Sequence, residues 1–394
     1  MGNLKATGNI TFSLGMQKIN TDSIFPAEGG ASHPSIVSRK TNIVLKLSES
    51  DVFSSVFDAQ YDRRPYSENV GRVNQLYAAF NVTSSLKVRV GKQRVLWGHG
   101  FIYVPTDFIN PPLDPSGLDP AKIGVPSVTF DFISDSYSIT GLLQRERNSV
   151  DSAGVKYSPN GFSGIDLDFI YFHAPSIGNA LGVSGALDAE QIISPRLNGF
   201  VLSGGIAAHQ KSRYPEVISA QFINANGVVD YPALGESGKR GSYYSYLAGV
   251  TYQASSNLIL MGEYYHIGDA YSNADYKTLL TSLTNKGTLR QSLASPWLDH
   301  LAYGRNQRNY LNISINQGGL TEGNSRLTDT FGVELSMLRN LDDQSGVTSV
   351  ALISDYWGET TITLRNFFPY GQKTTEFGTA PYTWYSQLSI KIGF

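Results

Sequence analysis

The sequence predicts an all-β protein: a transmembrane antiparallel β-barrel of about eighteen strands in a single domain spanning residues 1–394. Three observations carry that prediction. Apolar and polar residues alternate with period two in segment after segment, the mark of a strand lying between an oily and a wet environment. Although 41% of the residues are hydrophobic, no run is long enough for a membrane-spanning helix. The long connections follow strands 1, 5, 11, 13 and 17, and the clearest short turns follow strands 2, 4, 6, 8, 12 and 16, as in barrels with long loops on one rim and tight turns on the other. A soluble β-sandwich gives no reason for loop length to follow strand parity.

Taken in order, Ile10, Phe12, Leu14 and Met16 alternate with Thr11, Ser13, Gly15 and Gln17 to make the first strand, followed by a long polar loop to about His33. The second strand sets Ile43, Leu45 and Leu47 against Asn42, Val44, Lys46 and Ser48, and a turn at Ser48–Asp51 leads into a third with Phe53, Phe57, Ala59 and Tyr61 on one face. Leu76, Ala78, Phe80 and Val82 mark the fourth, and Lys87–Val90 the fifth. After the long segment Gly98–Pro126, alternation resumes at Val128, Phe130 and Phe132 and returns through Tyr137 to Gln144. A turn at Ser158–Gly161 joins the next pair, whose second member is Ile165–Tyr171. Strands follow near 180–189 and 199–209, then an ordinary loop over 210–241. Tyr243–Tyr252 and Leu258–Tyr265 flank a short turn, and Asp275–Thr288 is expected as a short surface helix. Strands near 309–316, 328–337, 347–356, 360–367 and 383–394 complete the set. The connections after strands 10 and 14 are the least distinct, and reading them otherwise gives sixteen strands.

The last stretch alternates most strictly. Trp384, Ser386, Leu388, Ile390, Ile392 and Phe394 share one face, and Tyr385, Gln387, Ser389, Lys391 and Gly393 the other. A terminal Phe after such a run resembles the closing-strand signature of bacterial outer-membrane proteins. That resemblance implies that Phe394 is the insertion signal read by the barrel-assembly machinery.

Composition narrows the function. Aromatic content is 12%, with 23 Tyr, while only 16% of residues are charged, which suits interfacial aromatic girdles. The net charge of −2 argues against nucleic acid as a partner. There is no Cys, so disulfides and thiolate chemistry are excluded. The chain starts directly in alternating sequence, so its beginning is expected to be that of a mature protein behind an added Met.

The segment Gly91-Lys92-Gln93-Arg94-Val95-Leu96-Trp97-Gly98-His99-Gly100, continuing through Pro105-Thr106-Asp107 to Asn110-Pro111-Pro112, resembles a pattern of outer-membrane porin-like and export-channel families. Alginate-export and capsule-assembly barrels are the nearest named relatives of that pattern. The resemblance implies passage of a solute through an envelope channel. Physically, Trp97 is expected as an anchor where the strand leaves the bilayer, and Gly98 and Gly100 permit a sharp bend. Pro105, Pro111, Pro112, Pro115 and Pro120 stiffen the chain beyond that bend. A long proline-rich segment of this kind is expected to fold into the lumen and narrow it, with Trp97, Gly98, Gly100, Asp107, Asp114, Asp119 and Lys122 as constriction candidates. A surface loop packed across the rim is the alternative.

Alternation also assigns charges to the inner wall: Asp58, Asp62, Asp131, Asp166, Asp168, Glu263, Glu334 and Asp355 against Lys46, Lys87, Arg89, Arg365 and Lys391. The slight acidic excess predicts a weak preference for cations. The plainer role for these residues is to pair with one another and stiffen the wall. Lys46, Lys87 and Arg89 are expected close to Asp58 and Asp62.

The six His (33, 99, 173, 209, 266 and 300) show no metal-binding spacing, and Gly161-Phe162-Ser163-Gly164 is not a nucleophile elbow. His99 and His300 fall in loops of one rim, where an Asp–His hydrolytic site is the enzymatic alternative. The expectation is a passive outer-membrane channel for small hydrophilic solutes, without a cofactor or enzymatic activity, surrounded by outer-membrane lipids and lipopolysaccharide. The rival expectations are a polysaccharide exporter and a sleeve around a partner such as a multihaem electron carrier. The chain has no CxxCH, so any haem would belong to that partner. A rim adhesin is a further alternative.

Overall fold

A computed structural model describes residues 4–20, 23, 35–49, 52–63, 69–110, 123–145, 151–224, 227–234, 239–255, 257–284, 306–318 and 331–394. Alternating β-branched and aromatic residues form the strands. The first five are β1 (Leu4–Ile19), β2 (Ser35–Glu49), β3 (Phe53–Arg63), β4 (Val70–Asn81) and β5 (Leu86–Gln93). Then come β6 (Val125–Ile133), β7 (Tyr137–Arg145), β8 (Asp151–Pro159), β9 (Ile165–Ala174), β10 (Gly178–Asp188) and β11 (Phe200–Lys211). A hairpin of β12 (Val217–Asn224) and β13 (Gly227–Leu234) precedes β14 (Arg240–Ser255), β15 (Leu258–His266) and β16 (Asn309–Gln317). The last four are β17 (Phe331–Asn340), β18 (Gly346–Trp357), β19 (Thr360–Tyr370) and β20 (Tyr382–Gly393).

All of these except the β12–β13 hairpin join one 18-stranded antiparallel sheet. Each strand pairs with its neighbour in chain order, and β1 pairs with β20 from Asn9↔Gly393 to Ile19↔Tyr382. The sheet is therefore a closed barrel, which leaves no strand edge unpaired. The expected count of eighteen holds, and the sixteen-strand reading does not. Phe394 completes the seam: its N–H donates to Gly8 O and its own carbonyl accepts from Gly8 N–H. The ring lies against Gly8, where a Cβ would approach it to 2.7 Å.

The alternation places the apolar set on the outside. Phe12, Leu45, Leu47, Phe130, Phe169 and Ile390 are exposed there, and the inward residues between them are more covered: Gln17, Gln60, Thr129, Asp168 and Gln387 are buried. A soluble protein would hide the first set and wet the second; a membrane barrel does the reverse.

One expectation about the loops needs correction. The 210–241 connection contains the β12–β13 hairpin, paired from Val217↔Leu234 to Asn224↔Gly227, because Val217, Ile218, Phe222, Val228 and Val229 favour extended backbone. The helix after β15, α2 (Asn273–Thr284), is a surface helix as expected, with Ala274, Asp275, Lys277 and Thr278 exposed and an inner face of Tyr276, Leu279 and Leu280 buried to 1% exposure or less. Residues 285–288 of the expected helix lie outside the described residues. A short helix, α1 (Ala189–Ile192), sits in the β10–β11 connection.

Candidate functional site

The site is built by the segment that follows β5. Gln93 ends the strand, and residues 94–110 turn into the barrel instead of running outward. The fold of the segment closes on itself. Val95 N–H donates to Asn110 Oδ1 (3.2 Å), and Asn110 Nδ2 donates back to Val95 O. Thr106 Oγ1 donates to Trp97 O at 2.8 Å. Asp107 accepts from the N–H groups of Asn110 and Ile109 and from Asn110 Nδ2, an Asx-type turn. Burial pushes the Asp107 carboxyl above the usual range, against those hydrogen bonds and Arg94 at 4.0 Å.

Two regions of the inner wall receive the segment. On β7–β10, Leu142, Ile170, Phe172, Ala174 and Ala180 are buried against Val95, Trp97 and Ile109. Trp97 meets Phe172 edge to face at 6.4 Å, and Phe108 stacks on Phe172 at 6.2 Å. The wall is recessed for them. A Cβ at Gly154 would lie 2.8 Å from the Trp97 indole, and one at Gly182 2.5 Å from Thr106 Cγ2. Trp97, 1% exposed, is thus an interior residue and not the bilayer anchor expected from sequence. Gly98 has φ +113°, a left-handed backbone that favours Gly, and a Cβ there would run into Thr106 Oγ1.

On β9, β10 and β15 the contacts are polar. His99 N–H donates to Ser184 Oγ at 2.7 Å, and His99 Nε2 stands 3.0 Å from Asp166. The Glu263 carboxylate accepts the backbone N–H groups of Phe101 (2.5 Å) and Ile102 (3.0 Å). Tyr103 stacks on Tyr265 at 4.9 Å, and Tyr265 on Tyr310 at 5.1 Å. The strand order places β6–β11 and β14 between β5 and β15, so the segment reaches from its parent strand to nearly the opposite side of the ring.

A second layer covers the wall beyond β15. Phe377, from the 371–381 connection, packs with Leu338, Val347, Phe367 and Tyr385, and Ile267 and Ala270 join them. Glu376 accepts from Asn306 N–H, Tyr310 OH and Asn340 Nδ2 at 2.6–2.7 Å. Burial pushes its carboxyl up to about 7, and Asp343 adds to the rise while the hydrogen bonds oppose it. Asp269, in the connection after β15, behaves oppositely: burial disfavours its charge, but Arg213 and His209 outweigh that and hold it well below the usual carboxylate range.

On the other side, a cavity of about 540 Å³ remains between the base of the segment and β5–β8. Lys87, Arg89, Arg94 and Lys156 line it with Asp131, beside Trp97 and Thr140. Arg89 pairs with Asp131 at 3.0 Å and Lys156 with Asp168 at 3.2 Å.

The charged candidates all fall on the strand face opposite the exposed apolar residues, but their partners differ from expectation. Arg89 takes Asp131 on the adjacent β6, not Asp58 or Asp62, because cross-strand neighbours lie closest. Asp58 accepts instead from Asn42 and Asn74. Asp62 is buried, and Glu334 holds Arg365 at 2.7 Å across Ala351. Lys46, Asp355 and Lys391 are exposed. Gly100 lies in the segment, close enough that a Cβ would meet Tyr103 O. Asp114, Asp119, Lys122 and His300 lie outside the described residues.

Sequence alternation missed the inward apolar residues. Their signal was Phe169-Ile170-Tyr171-Phe172, apolar on both faces, which marks a wall covered inside as well as outside. Ser184, His99 and Asp166 form a chain of contacts in the order of a hydrolytic triad. Ser184 is only 1% exposed, its hydroxyl donates to Gly204 O and its oxygen takes the His99 N–H. These groups hold the segment against the wall.

The chain matches no protein-family model and no curated protein. Among solved structures it is similar to OccK8 (OprE) of Pseudomonas aeruginosa, with a TM-score of 0.56, 9% identity, and coverage of 100% of this chain and 98% of that one. It is also similar to OccAB1 of Acinetobacter baumannii, with a TM-score of 0.58, 12% identity, and coverage of 99% and 96%. OpdL of Pseudomonas aeruginosa gives 0.56, 9%, 100% and 99%. These comparisons lend no support to the alginate-export and capsule-assembly likeness. What is shared at such identities is the fold, the closed 18-strand antiparallel barrel of bacterial outer-membrane porins.

Proposed function

We propose that the chain is a porin-like channel of the bacterial outer membrane, passing small hydrophilic solutes passively. One observation carries this reading: residues 94–110 fold inside the barrel, docked on β7–β10 and on β15, and leave a charged cavity beside them. A wall of inward polar side chains narrowed by an internal segment is the arrangement of a selective diffusion pore.

The sleeve is disfavoured because space that a partner protein would fill is occupied by the chain's own 94–110 and 371–381 segments. Polysaccharide export gains no support from the structural neighbours. The lipid surroundings and the use of Phe394 by the assembly machinery belong to the same proposal.

Incorporation of the purified protein into planar bilayers tests it. Stable, stepwise, ohmic conductance is expected. A protein that inserts, resists heat as a folded barrel and yet conducts nothing would overturn the channel.

A further inference from the structure

The outer face of β1–β3 carries cations with no anionic partner among the described residues. Arg39 and Arg63 stand directly opposite each other in the β2–β3 ladder. Both are exposed and belong to the outward set: Arg39 alternates with Thr41, Ile43 and Leu45 and pairs with Leu14 of β1, while Arg63 follows Tyr61 by two residues. Lys18, also exposed, points outward on β1 opposite Trp384 of β20.

Like charges directly opposite in a ladder destabilise it. Two other outward cations do find acceptors in the chain. Arg339 donates to Gln344 Oε1, and Lys92 to Val73 O. Among the described residues, nothing offers a carboxylate or carbonyl to Arg39 or Arg63.

Height on the barrel identifies the missing anion. The register runs from Glu49↔Phe53, at the short turn, to Arg39↔Arg63. Those roughly ten steps, at about 3.3 Å each on a strand tilted near 40°, climb about 25 Å, the thickness of the apolar band. The pair therefore sits at the headgroup layer on the long-loop side, with Tyr61 and Trp384 as interfacial aromatics. Phosphate is the anion found in that layer, and two adjacent guanidiniums suit it through forked, charge-assisted hydrogen bonds.

We propose that Arg39, Arg63 and Lys18 form a binding site for the phosphate-bearing headgroup of an outer-leaflet lipid, the phosphate bridging the two guanidiniums. The proposal rests on the membrane-spanning reading of the barrel.

Fluorescent diphosphoryl lipid A and its dephosphorylated form, titrated against the purified barrel in non-ionic detergent, provide the test. Saturable binding of the phosphorylated lipid is expected, roughly tenfold tighter than the dephosphorylated one, and roughly tenfold weakened in the R39Q/R63Q double variant. K92Q is expected to bind as the parent does. Equal binding of both lipids by the parent protein, which needs no variant, would overturn the site. So would lipid binding indifferent to R39Q/R63Q, or displacement of the lipid by an equal concentration of inorganic phosphate, which would make it a site for the free ion. Bilayer conductance measured on the same preparation separates the two readings: a conducting barrel without lipid preference loses the headgroup site and keeps the channel.

Discussion

Glu263 is the residue on which the inward segment depends most sharply. A single buried carboxylate receives two consecutive backbone N–H groups, from Phe101 and Ile102, and charge-assisted bonds of this kind contribute about 1.5–3 kcal/mol each. Glu263→Gln keeps the size but removes the charge and turns one acceptor into a donor that faces an N–H. The expected outcome is a folded barrel, less stable by roughly 2 kcal/mol, whose single-channel current is larger and noisier than the parent's. A trace of unchanged amplitude and noise would mean that the segment does not gate the path. Little of this was visible in the sequence. Glu263 is one acidic residue among several with the right alternation, and only its partner across 161 positions singles it out.

At the scale of elements, the connections after β5, β15 and β19 act as an inner layer on a wall that would otherwise be wet. The 371–381 connection is clasped through Glu376 to the connection after β15 and to the β17–β18 turn, where Asp343 accepts from Glu376 N–H and Gln307 Nε2. Because burial raises the Glu376 carboxyl from its ordinary 4.5 to about 7, the folded clasp holds a proton more tightly than the unfolded chain does. Its stabilising contribution is full below about 4.5 and is lost as pH rises through about 7, a difference on the order of 3 kcal/mol. The temperature at which the barrel unfolds in detergent should therefore fall between pH 5 and pH 8, and Glu376→Gln should flatten that slope. An identical slope in the variant would assign the pH dependence elsewhere. The strands were legible as elements because alternation needs only the contrast between lipid and lumen. The buried inner face of α2 was not, since it depends on what packs beneath the helix, while the β12–β13 hairpin was legible only as a propensity of Val217, Ile218, Phe222, Val228 and Val229 for extended backbone.

For the whole molecule, the distribution of charge sets which solutes the proposed channel would favour. The acidic excess suggested cations, but folding engages those carboxylates locally: Asp131 with Arg89 and Thr140, Asp168 with Lys156 and Ser158, Glu334 with Arg365, Glu263 with the segment. Around the cavity, Lys87, Arg89, Arg94 and Lys156 outnumber the acids, and Lys87 has no partner among the described residues. A focused positive potential there favours solutes bearing a negative group. The reversal potential in a salt gradient is expected to carry the sign of anion preference, diminished by Lys87→Gln. A cation-selective sign would restore the composition-based expectation.

The sequence by itself determined the cylinder. Period-two patterning, loop parity and the alternating run into Phe394 are local properties, and the bilayer imposes them strand by strand, so each strand announces its two faces without reference to the others. What fills the cylinder was decided only by tertiary structure. The docking of Trp97 into the recess at Gly154, the grip of Glu263 on Phe101 and Ile102, and the pairing of Arg89 with Asp131 join residues far apart in the chain. Their geometry exists only once the sheet has closed and set the distance between opposite walls.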